Sequence, residues 1–315
     1  MAKIVVLNGQ RVNYDGRIDY SVLGADVTVY PSSTPEEILP RLAGAEVAVT
    51  KELVLTPEQV LAMPDTLKLI CEAGTGYNNI PLEAARQKGI MVCNIPAYST
   101  QREAHTAIMM LLALSSCVQK QVRMLAAGDR SNFTDCLGCS HTEVNGKTLG
   151  IIGAGTIGKA VIRIARALDM NVLVYTRTPR ANEEGIRYCS LDEVLTQSDY
   201  LSLHCPLTEQ TRHIIDAAAL AKMKPTACLI NTSRGALVDE PALIEALQQG
   251  RIAGAGLDVQ ETEPPVQDNP LYELENVILT PHMGWKGLET RQRLVQILAD
   301  NIRAYEAGAP INRVV

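Results

Sequence analysis

Three polar clusters follow apolar runs in the second half of the chain, and their residue types could carry out proton-transfer chemistry. Arg234 stands in the run N-T-S-R-G, Glu263 follows the run G-L-D-V, and His282 ends the run T-P-H. A guanidinium can bind a carboxylate and polarise a carbonyl, and a histidine can give its proton to the nascent alkoxide. A carboxylate beside that histidine orients it and keeps it protonated near neutral pH. The three types together predict the reduction of a 2-keto acid.

Each of these residues also has a simpler explanation when it is taken alone. Arg234 could form a surface ion pair, Glu263 could be a solvated turn residue, and His282 could be a polar cap after a proline. Their common position favours the catalytic interpretation, because an open α/β sheet places its ligands at the carboxyl ends of its strands.

A glycine-rich run in the middle of the chain predicts a dinucleotide site. Gly153, Gly155 and Gly158 follow the apolar run Thr148–Ile152 and precede a helical pattern. The first glycine permits a tight turn, the second lets the backbone approach a pyrophosphate, and the third allows close helix packing. A chance glycine cluster is the alternative, but the strand, turn and helix context favours the dinucleotide.

The next predicted strand ends in the segment Tyr175–Arg180, which contains no carboxylate. An acidic residue usually binds the adenosine ribose of NAD at this place, and without it a 2′-phosphate is not repelled. Arg177 or Arg180 could then pair with that phosphate, so we expect NADPH to be preferred over NADH. In the alternative interpretation Arg177 stacks on the adenine or points to solvent.

The elements that must position these residues form two series of short apolar runs alternating with helical segments. The first series is Lys3–Leu7, Asp26–Tyr30, Glu46–Thr50, Leu67–Cys71 and Met91–Asn94. The second series is Thr148–Ile152, Asn171–Tyr175, Tyr200–His204, Ala227–Asn231, Gly254–Val259 and Val277–Thr280. We therefore expect two parallel sheets, joined by a long helical stretch over about Arg102–Ala126 and closed by a C-terminal helix with one buried face.

Composition excludes several classes of protein. The 315 residues are 46% hydrophobic, which predicts two domains with sizeable cores. A formal net charge of −6 gives no basic field for a nucleic acid. The longest apolar stretch, Ala107–Leu114, is about half of what a membrane-spanning helix needs. Eight scattered cysteines fit reduced thiols and a cytoplasmic enzyme.

These motifs, with His204–Thr208, resemble those of the D-isomer-specific 2-hydroxyacid dehydrogenases in order and spacing. The resemblance implies two doubly wound parallel-sheet α/β domains: a flavodoxin-like, split substrate domain (1–100 and 287–315) and a Rossmann dinucleotide-binding domain (101–286). It also implies that Arg234, Glu263 and His282 are catalytic, with His282 as proton donor. The cofactor contacts that it implies are Gly153, Gly155, Thr156, Ile157, Gly158, Thr176, Arg177, Cys205, Thr232, Ser233 and Asp258, of which Asp258 would hold the nicotinamide carboxamide.

In the first domain, the segments Ala73–Asn79 and Asn94–Thr100 are similar to the subgroup that includes glycerate dehydrogenase. The substrate contacts implied by this similarity are Lys51, Gly74, Thr75, Gly76, Arg234 and Trp285. Backbone N–H groups of a glycine-rich turn can face an anion unobstructed. An ordinary strand-to-helix connection and plain packing of Trp285 are the alternatives. Lys286 is unusual at its position, and with Lys51 or Arg102 it could admit a second anionic group.

The expected reaction is the reversible reduction of hydroxypyruvate to D-glycerate or of glyoxylate to glycolate. The resemblance to the family also implies a homodimer. The alternatives are a phosphoglycerate or other 2-keto acid dehydrogenase, and a nucleotide-sensing protein resembling transcriptional corepressors. No metal is expected, because the Cys136, Cys139 and His141 cluster lacks a second ligand pair and is interpreted as a loop. His105 and His213 belong to no paired-acid or nucleophile motif and are interpreted as structural, hydrogen-bonded histidines.

Overall fold

A computed structural model describes residues 2–134, 136–178 and 180–315, and the chain divides into two compact units. Unit 1 comprises the chain up to Ser99 together with Trp285–Val315, and unit 2 comprises Thr100–Gly284. Each unit is built on a parallel sheet flanked by helices. The predicted class of two parallel-sheet α/β domains is therefore confirmed. Trp285 and Lys286, which the sequence analysis assigned to the dinucleotide-binding domain, belong to unit 1.

The sheet of unit 1 has the strand order β2-β1-β3-β4-β5, and its described pairings are all parallel. Its strands are β1 (Ile4–Val6), β2 (Val27–Val29), β3 (Val47–Thr50), β4 (Leu69–Glu72) and β5 (Met91–Cys93). Successive residues of β1 pack into different core clusters, because side chains alternate between the two covered faces of the sheet. Burial on both faces explains why these strands are continuous apolar runs in the sequence.

Local sequence signals fix the ends of the helices in unit 1. The helices are α1 (Pro35–Arg41), α2 (Pro57–Leu61), α3 (Leu82–Lys88) and α11 (Leu288–Glu306). Thr56 and Gln59 form a reciprocal capping box at the start of α2, and Gly89 ends α3 in the left-handed conformation at φ +73°. Helix α11 buries Leu294, Leu298 and other apolar residues against the sheet of unit 1.

The sheet of unit 2 has the order β12-β11-β10-β9-β6-β7-β8, again with parallel pairing between the described strands. Its strands are β6 (Thr148–Ile152), β7 (Asn171–Tyr175), β8 (Ile186–Tyr188), β9 (Tyr200–Leu203), β10 (Cys228–Asn231), β11 (Gly254–Leu257) and β12 (Val277–Leu279). The order reverses between β6 and β9, and a sheet of this kind binds ligands beyond the carboxyl ends of its strands at that point. Strand β8 was not predicted from the sequence, because it is half-buried and has an arginine at its centre.

The helices of unit 2 are α4 (Thr100–Ser115), α5 (Val118–Ala126), α6 (Ser131–Thr134), α7 (Thr156–Ala167), α8 (Leu191–Gln197), α9 (Ala217–Lys222) and α10 (Glu240–Gln248). The predicted helical stretch over about Arg102–Ala126 is present as two helices, because the chain is interrupted between α4 and α5. Cys117 stands at the break with φ +53°, a left-handed conformation that no continuous α-helix of L-residues contains.

Candidate active site

The glycine-rich turn joins β6 to α7. Gly153 has φ +96°, and a Cβ placed there would lie 2.6 Å from the backbone nitrogen of Cys205. A Cβ at Gly158 would lie 2.3 Å from the carbonyl oxygen of Gly153. By contrast, a Cβ at Gly155 would meet no atom of the described residues within 4 Å. The turn itself therefore requires Gly153 and Gly158, whereas the space at Gly155 is open to a ligand.

The start of α7 fits the pyrophosphate of a dinucleotide. Gly155 is the N-cap residue and supplies no capping side chain, so the N–H groups at Thr156 and Ile157 require another partner. Thr232, at the end of β10, is only 6% exposed, and its hydroxyl oxygen has no hydrogen-bond partner among the described residues. A bound cofactor could supply that partner. The residues present therefore fit a dinucleotide.

The segment that follows β7 carries positive rather than negative side chains. Thr176 is half-buried, and its hydroxyl donates to the carbonyl of Thr178 at 2.7 Å. Arg177 and Arg180 are exposed, and Pro179 between them lies outside the described residues. Nothing in this sequence segment repels a phosphate on the adenosine ribose.

His204 follows β9 and packs against the glycine-rich turn. Its backbone N–H donates to Ile152 at 2.8 Å, and its Nε2 lies 2.8 Å from the hydroxyl of Ser202. Its Nδ1 is buried without a partner in the described residues. Burial lowers the pKa of His204 to about 4, so the ring is neutral at pH 7. Burial also raises the pKa of Cys205 to about 11, which keeps this thiol protonated.

His282 and Glu263 form a close pair at the carboxyl edge of the same sheet. The distance between His282 Nδ1 and Glu263 Oε2 is 2.8 Å, and both side chains remain partly exposed. The backbone N–H of Gln260 donates to the other Glu263 oxygen at 3.1 Å. A carboxylate on Nδ1 fixes the orientation of the ring and leaves Nε2 for proton transfer.

Asp258 holds the turn that carries His282. Its carboxylate accepts hydrogen bonds from the hydroxyl of Thr280 and from the backbone N–H groups of Met283, at 2.9 Å, and Gly284, at 2.7 Å. Its backbone carbonyl accepts from the N–H of His282 at 2.8 Å. Asp258 is only 1% exposed. The family resemblance assigns Asp258 to the nicotinamide carboxamide, whereas its anchoring of the turn could not be predicted, because no local motif signals it.

Arg234 lies at the start of a short 3-10 turn (Gly235–Leu237) after β10. The side chain of Asn231 donates to the carbonyl of Arg234 at 2.8 Å, and Arg234 Nη1 donates to the carbonyl of Ser233 at 2.7 Å. The Ser233 hydroxyl donates to the carbonyl of Leu203 at 2.8 Å. Since β10, β11 and β12 are neighbours, Arg234, Glu263 and His282 all follow adjacent strand ends.

The predicted substrate residues other than Arg234 lie in unit 1. The ammonium of Lys51 lies 4.0 Å from the centroid of the Trp285 ring and forms an ion pair of 2.7 Å with Glu52. A Cβ at Gly74 would lie 3.3 Å from the Lys51 nitrogen, so Lys51 is adjacent to the glycine-rich turn at Gly74–Gly76. Lys286 is more distant, with its nitrogen 5.9 Å from the Trp285 ring.

The turn at Gly74–Gly76 is held by its neighbours in unit 1. The hydroxyl of Thr75 donates to the carbonyl of Ile95 at 2.9 Å, and the side chain of Asn94 donates to the carbonyl of Thr75 at 2.8 Å. Trp285 is only 2% exposed, and its Nε1 has no hydrogen-bond partner among the described residues. The buried ring packs in the core of unit 1, and its contact with substrate stays a prediction.

The remaining sequence signals have structural explanations. Across residues 2–134, 136–178 and 180–315, no group of three or more His, Cys, Asp or Glu side chains could hold a metal ion. Cys136, Cys139 and His141 lie in a loop outside the described helices and strands. His213 does have an acidic partner, since its Nε2 lies 2.7 Å from Glu261 Oε1. Sequence proximity could not show this pair, because 48 residues separate its members.

A cavity of about 500 Å³ lies at the opposite edge of the unit 2 sheet, where the strands begin. Its lining includes Lys147, Tyr200 and Cys228, at the starts of β6, β9 and β10. None of the site residues predicted from the sequence lines it. The glycine-rich turn and the His282–Glu263 pair therefore define a different site, at the carboxyl edge.

A parallel sheet with a glycine-rich turn at its switch point, and a histidine–carboxylate pair at the same edge, define a nicotinamide-dependent oxidoreductase. Residues 108–284 match the model of the D-isomer specific 2-hydroxyacid dehydrogenase, NAD binding domain. The chain belongs to the D-isomer-specific 2-hydroxyacid dehydrogenase family, as its sequence motifs indicated. It is therefore an NAD(P)-dependent D-2-hydroxyacid dehydrogenase by class.

Known proteins are similar to this chain over nearly its whole length. A hydroxypyruvate reductase from Blautia hydrogenotrophica is 38% identical, over 99% of this chain and 99% of the relative. A glycerate dehydrogenase from Methylorubrum extorquens is 40% identical, over 89% of each chain. An acyclic imino acid reductase solved with NADPH and D-Arg has a TM-score of 0.84 and 31% identity, covering 99% of this chain and 100% of that one.

No helix within the described residues is long and apolar enough to cross a membrane. The described cysteines, eight in all, are free thiols.

Proposed function

We propose that this chain reduces hydroxypyruvate to D-glycerate, and glyoxylate to glycolate, with NAD(P)H. The observation that supports this most directly is the 2.8 Å contact between His282 Nδ1 and Glu263 Oε2 at the edge of the dinucleotide-binding sheet. The names of the two relatives, hydroxypyruvate reductase and glycerate dehydrogenase, favour this substrate pair over larger 2-keto acids.

The proposed roles follow from the chemistry of each side chain. When held by the glycine-rich turn and the start of α7, a nicotinamide cofactor would supply the hydride that the carbonyl carbon accepts. His282 Nε2 donates its proton to the carbonyl oxygen, which becomes the hydroxyl of the product. Glu263 holds the ring through Nδ1 and stabilises its positive charge. Arg234 binds the substrate carboxylate, for which a planar guanidinium is well matched. Asp258 keeps His282 in place through the backbone of the 280–284 turn.

We also propose that the backbone N–H groups of Thr75 and Gly76 contact the substrate carboxylate, and that Lys51 supports their turn. The support for this is the position of the Lys51 ammonium beside Gly74 and over the Trp285 ring. The charge of Lys51 is largely balanced by Glu52 at 2.7 Å. Lys51 therefore favours a substrate whose only anionic group is the carboxylate, in keeping with hydroxypyruvate and glyoxylate.

NADPH is the proposed preferred cofactor. The support is the pair of exposed arginines, Arg177 and Arg180, in a segment with no carboxylate after β7. The similar imino acid reductase was solved with NADPH. Replacing Arg177 with Ala should raise the KM for NADPH about tenfold, which corresponds to the loss of about 1.4 kcal/mol. The KM for NADH should change little. An enzyme that uses NADH with equal or higher catalytic efficiency contradicts this preference.

Initial rates with four keto acids test the proposed activity. Hydroxypyruvate, glyoxylate, phosphohydroxypyruvate and phenylpyruvate are each measured with NADPH and with NADH. We expect the highest kcat/KM with hydroxypyruvate, and we expect His282→Ala to lower kcat by about 10²-fold or more, as the loss of a general acid does. The matched control is His141→Ala, because His141 lies exposed in a loop outside the described helices and strands.

A different order of activity among the four keto acids would identify a different substrate class. Highest activity on phosphohydroxypyruvate indicates a phosphoglycerate dehydrogenase, and highest activity on phenylpyruvate indicates a larger 2-keto acid as substrate. No turnover of any of the four by the unmodified enzyme overturns the hydroxypyruvate proposal. Full activity of His282→Ala would remove His282 from the role of proton donor.

We further propose a cytoplasmic homodimer that associates through α4 and α5. Both helices expose apolar side chains, among them Met109 and Leu112 on α4 and Val122 and Leu125 on α5, of which Val122 is 58% exposed. Exposed apolar surface of this kind marks association sites. Light scattering after gel filtration should give twice the monomer mass, and Val122→Lys should lower it. A monomeric wild type defeats this proposal.

A further inference from the structure

The loops that carry Arg234 and Glu263 touch each other directly. Gly235, next to Arg234, packs so closely on the Gln260–Glu261 backbone that a Cβ there would lie 1.9 Å from the Gln260 carbonyl oxygen. The N–H of Gln260 in turn donates to the Glu263 carboxylate. The position of Glu263 is therefore coupled to that of the turn after Arg234.

His213 contacts both of these loops. Its backbone N–H donates to the carbonyl of Ala236 at 2.9 Å, in the 3-10 turn that follows Arg234. Its ring nitrogen Nε2 lies 2.7 Å from Glu261 Oε1, two residues before Glu263. His213 has φ +51°, a conformation that a non-glycine residue keeps only when its surroundings hold it. Its backbone and its ring thus join the two loops.

Glu261 is held from a second direction by Glu240, at the start of α10. The backbone N–H of Glu261 donates to Glu240 Oε2 at 3.0 Å, and the other Glu240 oxygen accepts from the side chain of Asn269 at 2.8 Å. Arg212 approaches Glu261 Oε1 at 3.6 Å and adds positive charge beside it. The 259–263 loop is therefore held at Glu261, whose carboxylate contacts His213 and Arg212 and whose backbone N–H donates to Glu240.

We infer that His213 is a positioning residue, which acts through Glu261 to hold Glu263 and Arg234 in register for the reaction. The inference rests on the proposed roles of Glu263 and Arg234. His213 is not among the residues proposed to contact substrate or cofactor. A loop that shifts by a fraction of an ångström weakens the transition-state contacts made by its side chains, so loss of the His213–Glu261 contact should affect turnover more than stability.

Kinetic comparison of His213→Ala, His213→Gln, Glu261→Ala and the double variant tests this role. We expect His213→Ala to lower kcat for keto-acid reduction about tenfold and to leave the Kd for NADPH unchanged. His213→Gln, whose amide N–H can still reach Glu261, should restore most of the activity. The double alanine variant should be no worse than Glu261→Ala alone, since Glu261→Ala already removes the His213–Glu261 contact. Lys222→Ala is the control, because it breaks an exposed 2.7 Å ion pair with Asp192 elsewhere in unit 2.

Hydrogen–deuterium exchange supplies a readout that does not depend on turnover. In His213→Ala the amides of Gln260 and Glu261 should exchange faster, while those of β6 and β9 keep wild-type protection. Unchanged exchange at 260–261 overturns the inference even if no keto acid is reduced. Wild-type kcat in His213→Ala, or additive losses in the double variant, overturns it as well. An inactive wild type with faster exchange in the variant would instead contradict the proposed function alone.

Discussion

The buried ring of His204 should make the free energy of unfolding depend on pH. Burial lowers its pKa from 6.5 to about 4 in the folded chain. As the pH falls below 6.5, the unfolded chain binds a proton at this ring and the folded chain does not. The free energy of unfolding therefore decreases with falling pH until about pH 4, where the folded chain also binds the proton. From these two values the linkage relation gives a loss of at most about 2 kcal/mol between pH 7 and pH 5.

Urea unfolding of the wild type and His204→Gln at pH 7 and pH 5 measures this loss. The glutamine keeps an amide within reach of Ser202 but cannot be protonated, so the wild type should lose about 2 kcal/mol more than the variant over this interval. Because His204 packs against the glycine-rich turn, the affinity for NADPH should also fall more between pH 7 and pH 5 in the wild type than in His204→Gln. His141→Gln, at an exposed loop position, is the control. Equal pH dependence in the wild type and His204→Gln refutes the reasoning.

Three further predictions concern the glycine-rich turn, the His282 turn and the core of unit 1. Gly158→Ala should lower both Tm and NADPH affinity, because its Cβ would lie 2.3 Å from the carbonyl oxygen of Gly153. Gly155→Ala should weaken only NADPH binding, because a Cβ there meets no atom of the described residues within 4 Å. Thermal scans measure the Tm, and titrations measure the NADPH affinity. Asp258→Asn should lower kcat about tenfold, measured with hydroxypyruvate, because it removes a charged acceptor from two backbone N–H groups. Arg291, 2% exposed, hydrogen-bonds Asp15 and holds its pKa at about 2, below the ordinary 3.8. The Asp15–Arg291 contribution to stability should therefore be complete above about pH 4 and be lost between pH 4 and pH 2, and Arg291→Met should abolish this acid step in urea unfolding.

The sheets could be predicted from the sequence because their strands are buried on both faces. Such strands are short apolar runs that stand out between helical segments, as at Val47–Thr50 and Thr148–Ile152. Strand β8 was missed because it lies at the sheet edge, is half-buried, and has Arg187 at its centre. The break between α4 and α5 has no glycine or proline to signal it, since Cys117 adopts the left-handed conformation instead.

Contacts at the candidate site could be predicted only where topology alone brings residues together. His282 and Glu263 both follow neighbouring strands of a parallel sheet, so their proximity follows from the order of the elements. The His213–Glu261 contact does not, because His213 lies in a turn whose path depends on the packing of Ala236 and its neighbours. Likewise, no sequence motif indicates that the carboxylate of Asp258 accepts hydrogen bonds from the backbone N–H groups of Met283 and Gly284.

The turn at His282 shows why this anchoring matters for catalysis. His282 has φ +48°, an unfavourable conformation for a residue with a side chain, and its N–H donates to the carbonyls of Asp258 and Thr280. The Asp258 carboxylate holds the next two N–H groups, at Met283 and Gly284. Because the backbone is fixed on both sides of the histidine, Glu263 needs to control only the rotation of the ring. Orientation of His282, the proposed proton donor, is thus divided between the buried carboxylate of Asp258 and the partly exposed carboxylate of Glu263.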